Sequence, residues 1–400
     1  MPNRSKAISE AIKNLSTGEI LLVAGKGHEK TQVIGRQKIY FSDKQVILNA
    51  IKIKNKNLSR NLKLNILSDL SGNKKICSNS SLGQARINSR EVERNDIFFA
   101  IKGKKNDGNN FVNQALKKKA LFAVVNRVQK RLRTDRQIKV KNTLKFLTNT
   151  SRIYRKNITT QIVAITGSCG KTSLKEILGN VLRKISKAST SPKSYNNKYG
   201  VPLSLLNLKE RDHYGILEVG MDKKGEIDYL SKIIQPDVSV ITNINFAHAK
   251  NFKNIKDIAL AKSEIIQNTK PNGCVVLNAD DSFFEIHKKL VLKYNLKMIS
   301  FGIKNQKSNI KLINISKEGK YFKINIKIYN SKKCFLISNN FQNNIYNILA
   351  ALAVMSFYFD ILKLNKNIFL NFKTPQGRGD FSKILVNRKN INLIDESYNS

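Results

Sequence analysis

The chain has 400 residues with 72 Lys and Arg against 28 Asp and Glu, a formal charge of +44, and a pI near 10.1. With 41% apolar residues and 8% aromatics it can fill the cores of roughly two to four domains of about 100–200 residues, which excludes disorder along its whole length. The four cysteines, Cys77, Cys169, Cys274 and Cys334, are too scattered for a disulfide framework or a C-x-x-C metal pair, so a reducing cytoplasm is the expected compartment.

No apolar block follows Met1, so a secretory signal is not expected; the spacing of AISEAI predicts a helix instead. EILLVA then reads as a buried strand over Ile20–Ala24 ending in a Gly-rich turn, with a second short strand after it. The Asn- and Lys-rich run Ile53–Leu62 reads as a linker. From about Leu64 to Arg127 the sequence carries a strand in DIFFAIKG (Asp96–Gly103), a helix over Asn110–Lys119 and a strand in LFAVV, a small α/β unit. From Gln161 apolar strands alternate with amphipathic helices: QIVAIT, a helix from Lys171, YGILEV, DVSVIT and GCVVLN. Such alternation marks a parallel sheet with crossover helices. The longest apolar run, Ile348–Phe359, has 12 residues, short of the 18 or so that span a bilayer, so no membrane insertion is expected. INLID (Ile391–Asp395) reads as the first strand of a further α/β unit.

A pI above 9 is the usual footprint of a nucleic-acid binder. Here lysine is spread over nearly every segment, with runs no longer than Lys104-Lys105 and Lys117–Lys119, no Trp, and Asn and Ile abundant throughout. The charge reads as a drift in composition, and nucleic acid is not expected as a partner.

The strongest chemical signal is ITGSCGKTS, Ile165–Ser173. A strand ends at Thr166, glycines at 167 and 170 let backbone N–H groups turn toward an anion, and Lys171-Thr172 opens a helix whose dipole favours phosphate. The first glycine of the full P-loop would fall on Ile165, so the loop is the shorter G-x-x-G-K-T. Lys171 would reach the β- and γ-phosphates and the Thr172 hydroxyl would hold Mg²⁺. Glu218 ends the strand YGILE and His248 follows VSVITN, both at the carboxyl edge where such sheets bind ligands. Either alone reads equally as an ordinary loop residue; together they suit a magnesium-bound phosphate.

These segments resemble the Mur ligase family, ATP-dependent enzymes that build the peptide stem of bacterial cell-wall precursors. The resemblance runs in order through INSREVERNDIFFAIKGKKNDGNNF, ITGSCGKTSLKE, SYNNKYGVPLSLL, ILEVGMDKKGEIDYL, ITNINFAHAKNFKNIKDIALAKSEI, VLNADD, NNIYNILAALAV, GRGDF and LIDESYNS, from about Leu64 to Ser400. It implies an α/β fold of Mur ligase architecture: a small uridine-nucleotide domain, a P-loop central domain with a mainly parallel sheet, and a truncated C-terminal Rossmann-like domain. The implied boundaries are 1–60, 61–155, 156–370 and 371–400.

The implied reaction joins D-alanyl-D-alanine to UDP-MurNAc-tripeptide through an acyl phosphate. ATP and Mg²⁺ are the cofactors, and the protein is expected to be a cytoplasmic monomer. A truncated fragment that binds ATP and the UDP-substrate without turnover is the alternative. Carried over by residue, ATP falls on Gly167, Ser168, Cys169, Gly170, Lys171, Thr172 and Ser173, with Asn278, Asp280, Asn344 and Asn347 near the adenosine. Magnesium falls on Thr172, Glu218, His248 and Lys262; Lys171, Lys262 and His248 carry catalysis. Lys262 matches a lysine carbamylated in related members. Asn196 and Asn197 match a loop that contacts the muramyl-peptide, and Ser89-Arg90 the uridine-nucleotide contact, supported by Gly103, Asp107 and Gly108. The family's usual Gly and His are Phe341 and Asn343 here, which weakens the nucleoside contacts at that place. Cys169 is read as a small loop residue, not a nucleophile. The first 60 residues resemble the C-terminal end of another member, the one that adds diaminopimelate, with Gly25 and Glu29 at the matching contact positions and no activity of that kind expected.

Overall fold

The computed structural model describes residues 4–15, 19–25, 31–34, 37–72, 82–103, 106–246, 251–338, 344–370, 372, 380–386 and 389–395. The N-terminal helix forms where AISEAI predicts it, as α1 (Arg4–Asn14), followed by the antiparallel pair β1 (Thr31–Ile34) and β2 (Gln37–Tyr40). The segment Glu19–Ala24 departs from expectation. Among the described residues it pairs in no ladder, and only alternate residues pack: Leu21 and Val23 lie against Ile8, Ile12 and Ala50, whereas Ile20 and Leu22 face solvent at 94% and 85% exposure.

The expected linker is a helix as well. α2 runs unbroken from Asp43 to Ser71, with the Ser42 hydroxyl accepting from the Gln45 N–H at its start and Gly72 in the left-handed region at its end. The run contains no Gly or Pro to break it, and its second half buries Leu64 and Leu67 in the core of the next unit. The polar composition that suggested a linker cannot override that tertiary anchor. The boundary expected at residue 60 therefore falls inside one helix.

The small α/β unit contains β3 (Ala85–Arg86), β4 (Ile97–Phe99), α3 (Val112–Lys117), β5 (Phe122–Val125) and β6 (Gln137–Lys139), a four-stranded parallel sheet in sequential order. α4 (Thr143–Asn157) leads out of it, its first turn capped by the Asn142 side chain accepting from the Lys145 N–H at 2.9 Å. Near its end Arg155, 2% exposed, donates to the carbonyls of Thr160, Ile234 and Gln235 and to Asp237 at 2.7 Å. Asp237 also accepts from the Ile162 N–H at 2.7 Å. A buried charge is tolerated because each of the three guanidinium nitrogens finds an acceptor, and the pair fastens the helix to the start of the central sheet.

That sheet is built from β7 (Gln161–Thr166), α5 (Lys171–Ile185), β8 (Ala188–Thr190), α6 (Gly200–Leu206), β9 (Tyr214–Glu218), α7 (Glu226–Ile234), β10 (Val238–Ile241), α8 (Ile255–Gln267), β11 (Cys274–Asn278), α9 (Phe284–Lys293) and β12 (Lys297–Gly302), extended by β13 (Ile310–Glu318), β14 (Tyr321–Ile328) and β15 (Ser331–Ser338). The strand order is β15-β14-β13-β12-β11-β10-β7-β9-β8, parallel from β8 to β13 and antiparallel beyond. After β7 the chain first adds strands on one side and then, from β10, on the other, so the switch point of the sheet lies at the carboxyl end of β7. Ligands of open α/β sheets bind at such a crevice.

α10 (Ile345–Tyr358) contains most of the long apolar run and packs with α5 on one face of the sheet. Leu349, Leu352 and Val354 are fully buried, so this is a core helix, apolar on nearly all sides because it is enclosed. Among the described residues no helix is long and apolar enough to cross a membrane. INLID is a strand as expected, within β17 (Lys389–Asp395), which pairs antiparallel with β16 (Asp380–Val386).

Candidate active site

The glycine loop Gly167–Gly170, expected to hold phosphate, sits at the switch point. Gly167 has φ 144° and Gly170 φ 82°, and a side chain at Gly167 would collide with the Thr242 hydroxyl at the end of β10. Both positions favour glycine for conformation, and Gly167 needs it for space as well. From the same side Asn243 Oδ1 accepts from the Cys169 N–H at 3.0 Å, and the Thr242 hydroxyl donates to the Cys169 carbonyl at 2.6 Å. Gly170 offers α5 no side-chain cap, which leaves that N-terminus open to an anion. Lys171 Nζ folds back over the loop, donating to the carbonyls of Gly167 at 2.8 Å and Ser168 at 3.1 Å.

Beside the loop stands a buried carboxylate. The Thr172 hydroxyl donates to Glu218 Oε2 at 2.7 Å, and Asn196 Nδ2 donates to Glu218 Oε1 at 2.8 Å. Glu218 is 2% exposed. One carboxylate thus joins α5 to the loop after β8. Lys262 comes in from α8, 2% exposed, with Nζ donating to the Gly167 carbonyl at 3.0 Å. Burial, and after it the charge of Lys171, pushes the Lys262 amine down to about 7.

These groups line a cleft of about 1030 Å³ with Ser168–Thr172 on one wall and Asn196, Asn197, Lys198 and Tyr199 on the other. Its far side is the turn Gly220–Glu226 with Tyr229, residues the sequence reading did not single out. The Glu264 carboxylate holds that turn, accepting from the N–H groups of Gly225 at 2.9 Å and Asp228 at 3.0 Å. The signal available was the polar, Gly-containing stretch DKKGE (Asp222–Glu226), separated by three residues from the end of a strand. Thr172 and Glu218 supply a hydroxyl and a carboxylate oxygen 2.7 Å apart, hard donors that suit Mg²⁺. The unmodified Lys262 amine does not. His248 lies outside the described residues.

Asn197 does not point its amide at the cleft alone; its Oδ1 accepts from the N–H groups of Tyr199 and Gly200 at 3.0 Å and starts α6. Farther along the sheet edge, Asp280 accepts from the N–H groups of Ile303, Lys304 and Asn305 and from the Tyr346 hydroxyl at 3.1 Å. Burial pushes its carboxyl up, but these donors outweigh it and hold it below the usual range. Burial and then the Asp280 charge push the Tyr346 hydroxyl up to about 12. Asn278 donates to the Thr242 carbonyl at 3.2 Å, and Asn347 to Asn344 Oδ1 at 3.1 Å. The four residues expected near adenosine therefore share one edge with the phosphate loop. Phe341 and Asn343 are outside the described residues.

In the small unit, Ser89 donates to Gln114 Oε1 at 2.6 Å in a turn that leaves Arg90 exposed. Asp107 accepts from the Asn109 N–H at 2.9 Å, and a side chain on Gly108 would strike the backbone of Ala100 and Ile101. Gly103 donates its N–H to the Asn106 carbonyl. Asn207, beyond the C-terminal end of α6, pairs through its amide with the Ala85 backbone at 2.7 and 3.0 Å, fixing this unit beside the loop that bears Asn196. Gly25, at the N-terminus, faces the Arg4 guanidinium, which is engaged by Asp43 at 2.7 Å; Glu29 is outside the described residues.

The Mur ligase middle domain matches residues 165–355. UDP-N-acetylmuramoyl-tripeptide–D-alanyl-D-alanine ligase of Buchnera aphidicola subsp. Acyrthosiphon pisum is 36% identical over 326 residues, an alignment covering 78% of this chain and 68% of that protein. This chain belongs to the Mur ligase family. MurF from Acinetobacter baumannii superposes with a TM-score of 0.71 at 26% identity, covering 84% of this chain and 73% of that one. The MurF ligase of Thermotoga maritima in complex with ADP superposes with a TM-score of 0.68 at 29% identity, covering 80% of this chain and 71% of that one. Within the family the likeness is to MurF.

Proposed function

We propose that this chain is an ATP-dependent ligase that adds D-alanyl-D-alanine to UDP-MurNAc-tripeptide in the cytoplasm, working as a monomer. The observation that carries this reading is the meeting of Lys171, Thr172, Glu218, Lys262 and Asn196 around one cleft, together with relatives and structures that bear that ligase's name. A carboxylate is a poor electrophile. Transfer of the γ-phosphoryl group of ATP to the tripeptide's terminal carboxylate makes an acyl phosphate and ADP; the amine of D-Ala-D-Ala attacks its carbonyl carbon, the tetrahedral intermediate expels phosphate, and the ammonium proton passes to solvent or a base.

The protein's part is to position and to neutralise. Lys171 leaves the loop carbonyls to meet the β- and γ-phosphates, and the uncapped start of α5 takes the remaining charge. Thr172 and Glu218 would hold Mg²⁺, with His248 and a carbamate on Lys262 completing the set; the ion supplies charge neutralisation on the phosphates. Asn278, Asp280, Asn344 and Asn347 border the adenosine, Asn196 and Asn197 the peptide, and Ser89 and Arg90 the uridine nucleotide.

In this reading residues 61–155 bind the UDP end, 156–370 hold ATP, 371–400 open a third unit, and 1–60 derive from a diaminopimelate-adding relative. A phosphate-release assay with ATP, UDP-MurNAc-tripeptide and D-Ala-D-Ala tests it. Release must require all three and must fall by about 100-fold or more in Lys171→Ala. Tight binding of ATP and the UDP-substrate without release would overturn it in favour of a binding-only protein.

A further inference from the structure

The mechanism gives no task to Lys175, a buried cation beside the site. Lys175 lies one turn beyond Thr172 on α5 and is 0% exposed. Its Nζ donates to the Ser191 carbonyl at 2.8 Å and the Lys193 carbonyl at 2.5 Å, and it lies 3.2 Å from Glu176 Oε1. Those three acceptors match the three donors of an ammonium. Enclosing a charge so completely is costly unless each donor is met, and here two of the three acceptors belong to one short loop. That loop is held at its start by Lys175 and at both Ser191 and Asn196 by Glu218. The Ser191 hydroxyl accepts from the Glu218 N–H at 3.3 Å, and Asn196 donates to Glu218 Oε1 at 2.8 Å while its carbonyl accepts from the Gly220 N–H at 2.8 Å. Between them Lys193 adopts φ 46°, a left-handed conformation that a non-glycine residue keeps only when its surroundings hold it there.

We propose that Lys175 is a positioning residue. It sets the loop 191–199 in register with α5, so that the helix that receives the nucleotide and the amide of Asn196 that faces the peptide substrate keep one fixed spacing across Glu218. It touches neither substrate. This rests on the ligase reading for its consequence, though not for its geometry.

The test is Lys175→Met, which removes the charge as well as the donors, read first by hydrogen exchange with ADP bound. Amides of 191–199 are expected to exchange about 10-fold faster or more while those of α5 keep their protection. In steady state the KM for UDP-MurNAc-tripeptide should rise about 10-fold with ADP affinity within about 2-fold of wild type, Lys175→Arg should recover part of the loss, and Lys175→Met should add little to Asn196→Ala. Unchanged loop protection, a parallel loss of ADP affinity, or additive effects with Asn196→Ala would each overturn the proposal. If Lys175→Met does not fold, Lys175→Gln is read in the same way; failure of both to fold would overturn it too, since Lys175 would then serve the core. Because exchange needs no turnover, a wild-type protein that failed as a ligase would leave this answer readable.

Discussion

Lys262 Nζ donates to the carbonyl of Gly167 at 3.0 Å, so an amine from α8 touches the phosphate loop from within the protein. Burial there pushes it down to about 7, and only the neutral amine can attack CO₂. The fraction ready to form a carbamate therefore grows as pH rises through 7. Activity is expected to fall when CO₂ is stripped from the buffer, to return with bicarbonate, and to return faster at pH 8 than at pH 6. Labelled bicarbonate should give a carbamate carbon resonance that Lys262→Met lacks; no such resonance in the wild type would sink the idea.

Lys171 Nζ donates to two loop carbonyls, from which it would turn to an arriving phosphate. Lys171→Ala is expected to lower kcat by about 100- to 1000-fold, the scale of removing one preorganised charge stabiliser. Circular dichroism should remain native. Retention of more than about a tenth of the wild-type rate would exclude the role.

Glu218 receives two donors, one on each oxygen. In Glu218→Gln one donor must face an amide NH₂, so the change loses a hydrogen bond as well as a charge, costing about 1–3 kcal/mol of stability. The Mg²⁺ concentration for half-maximal phosphate release should rise by about 10-fold or more. A magnesium titration that matches wild type would remove Glu218 from the metal set.

Away from the site, Lys63 on α2 lies 5.0 Å from the Tyr154 ring centre, with Nζ 3.4 Å from the Leu208 carbonyl. Burial pushes its amine from 10.5 to about 8, against the charges of Glu210 and Asp212. Between pH 8 and 10.5 the unfolded chain keeps this proton and the folded one has released it, so stability rises with pH across that window. Lys63→Met should flatten that rise by up to about 2–3 kcal/mol, leaving the parallel contribution of Lys262. Urea unfolding at a series of pH values measures it, and an unchanged slope would refute the assignment.

The geometry of the candidate site was legible because its signals are local. A glycine loop between a strand and a helix, Ile165–Ser173, names its own geometry, and Glu218 could be placed because strand ends share one edge of a parallel sheet. Lys175 could not be found that way. A lysine inside a helix reads as a solvated residue, particularly in a lysine-rich chain, and only the loop folded over it from β8 makes it buried. The Ile53–Leu62 run misled for a related reason: Asn and Lys signal a loop only where no neighbour holds the backbone, and the anchors Leu64 and Leu67 lie beyond the run. In Glu19–Ala24 the apolar pattern was read as two-sided burial, whereas α1 and α2 cover one face and leave Ile20 and Leu22 outside.

The unbroken α2 makes chain length a geometric instruction. One end packs with α1 and the other with α4, and a helix advances 1.5 Å and about 100° for each residue. Deleting a single residue between Ala50 and Leu64 would turn the N-terminal unit by over a quarter of a circle about the helix axis while leaving both packed ends intact. The spacing of that stretch, more than the identity of its side chains, then decides which way the first unit faces.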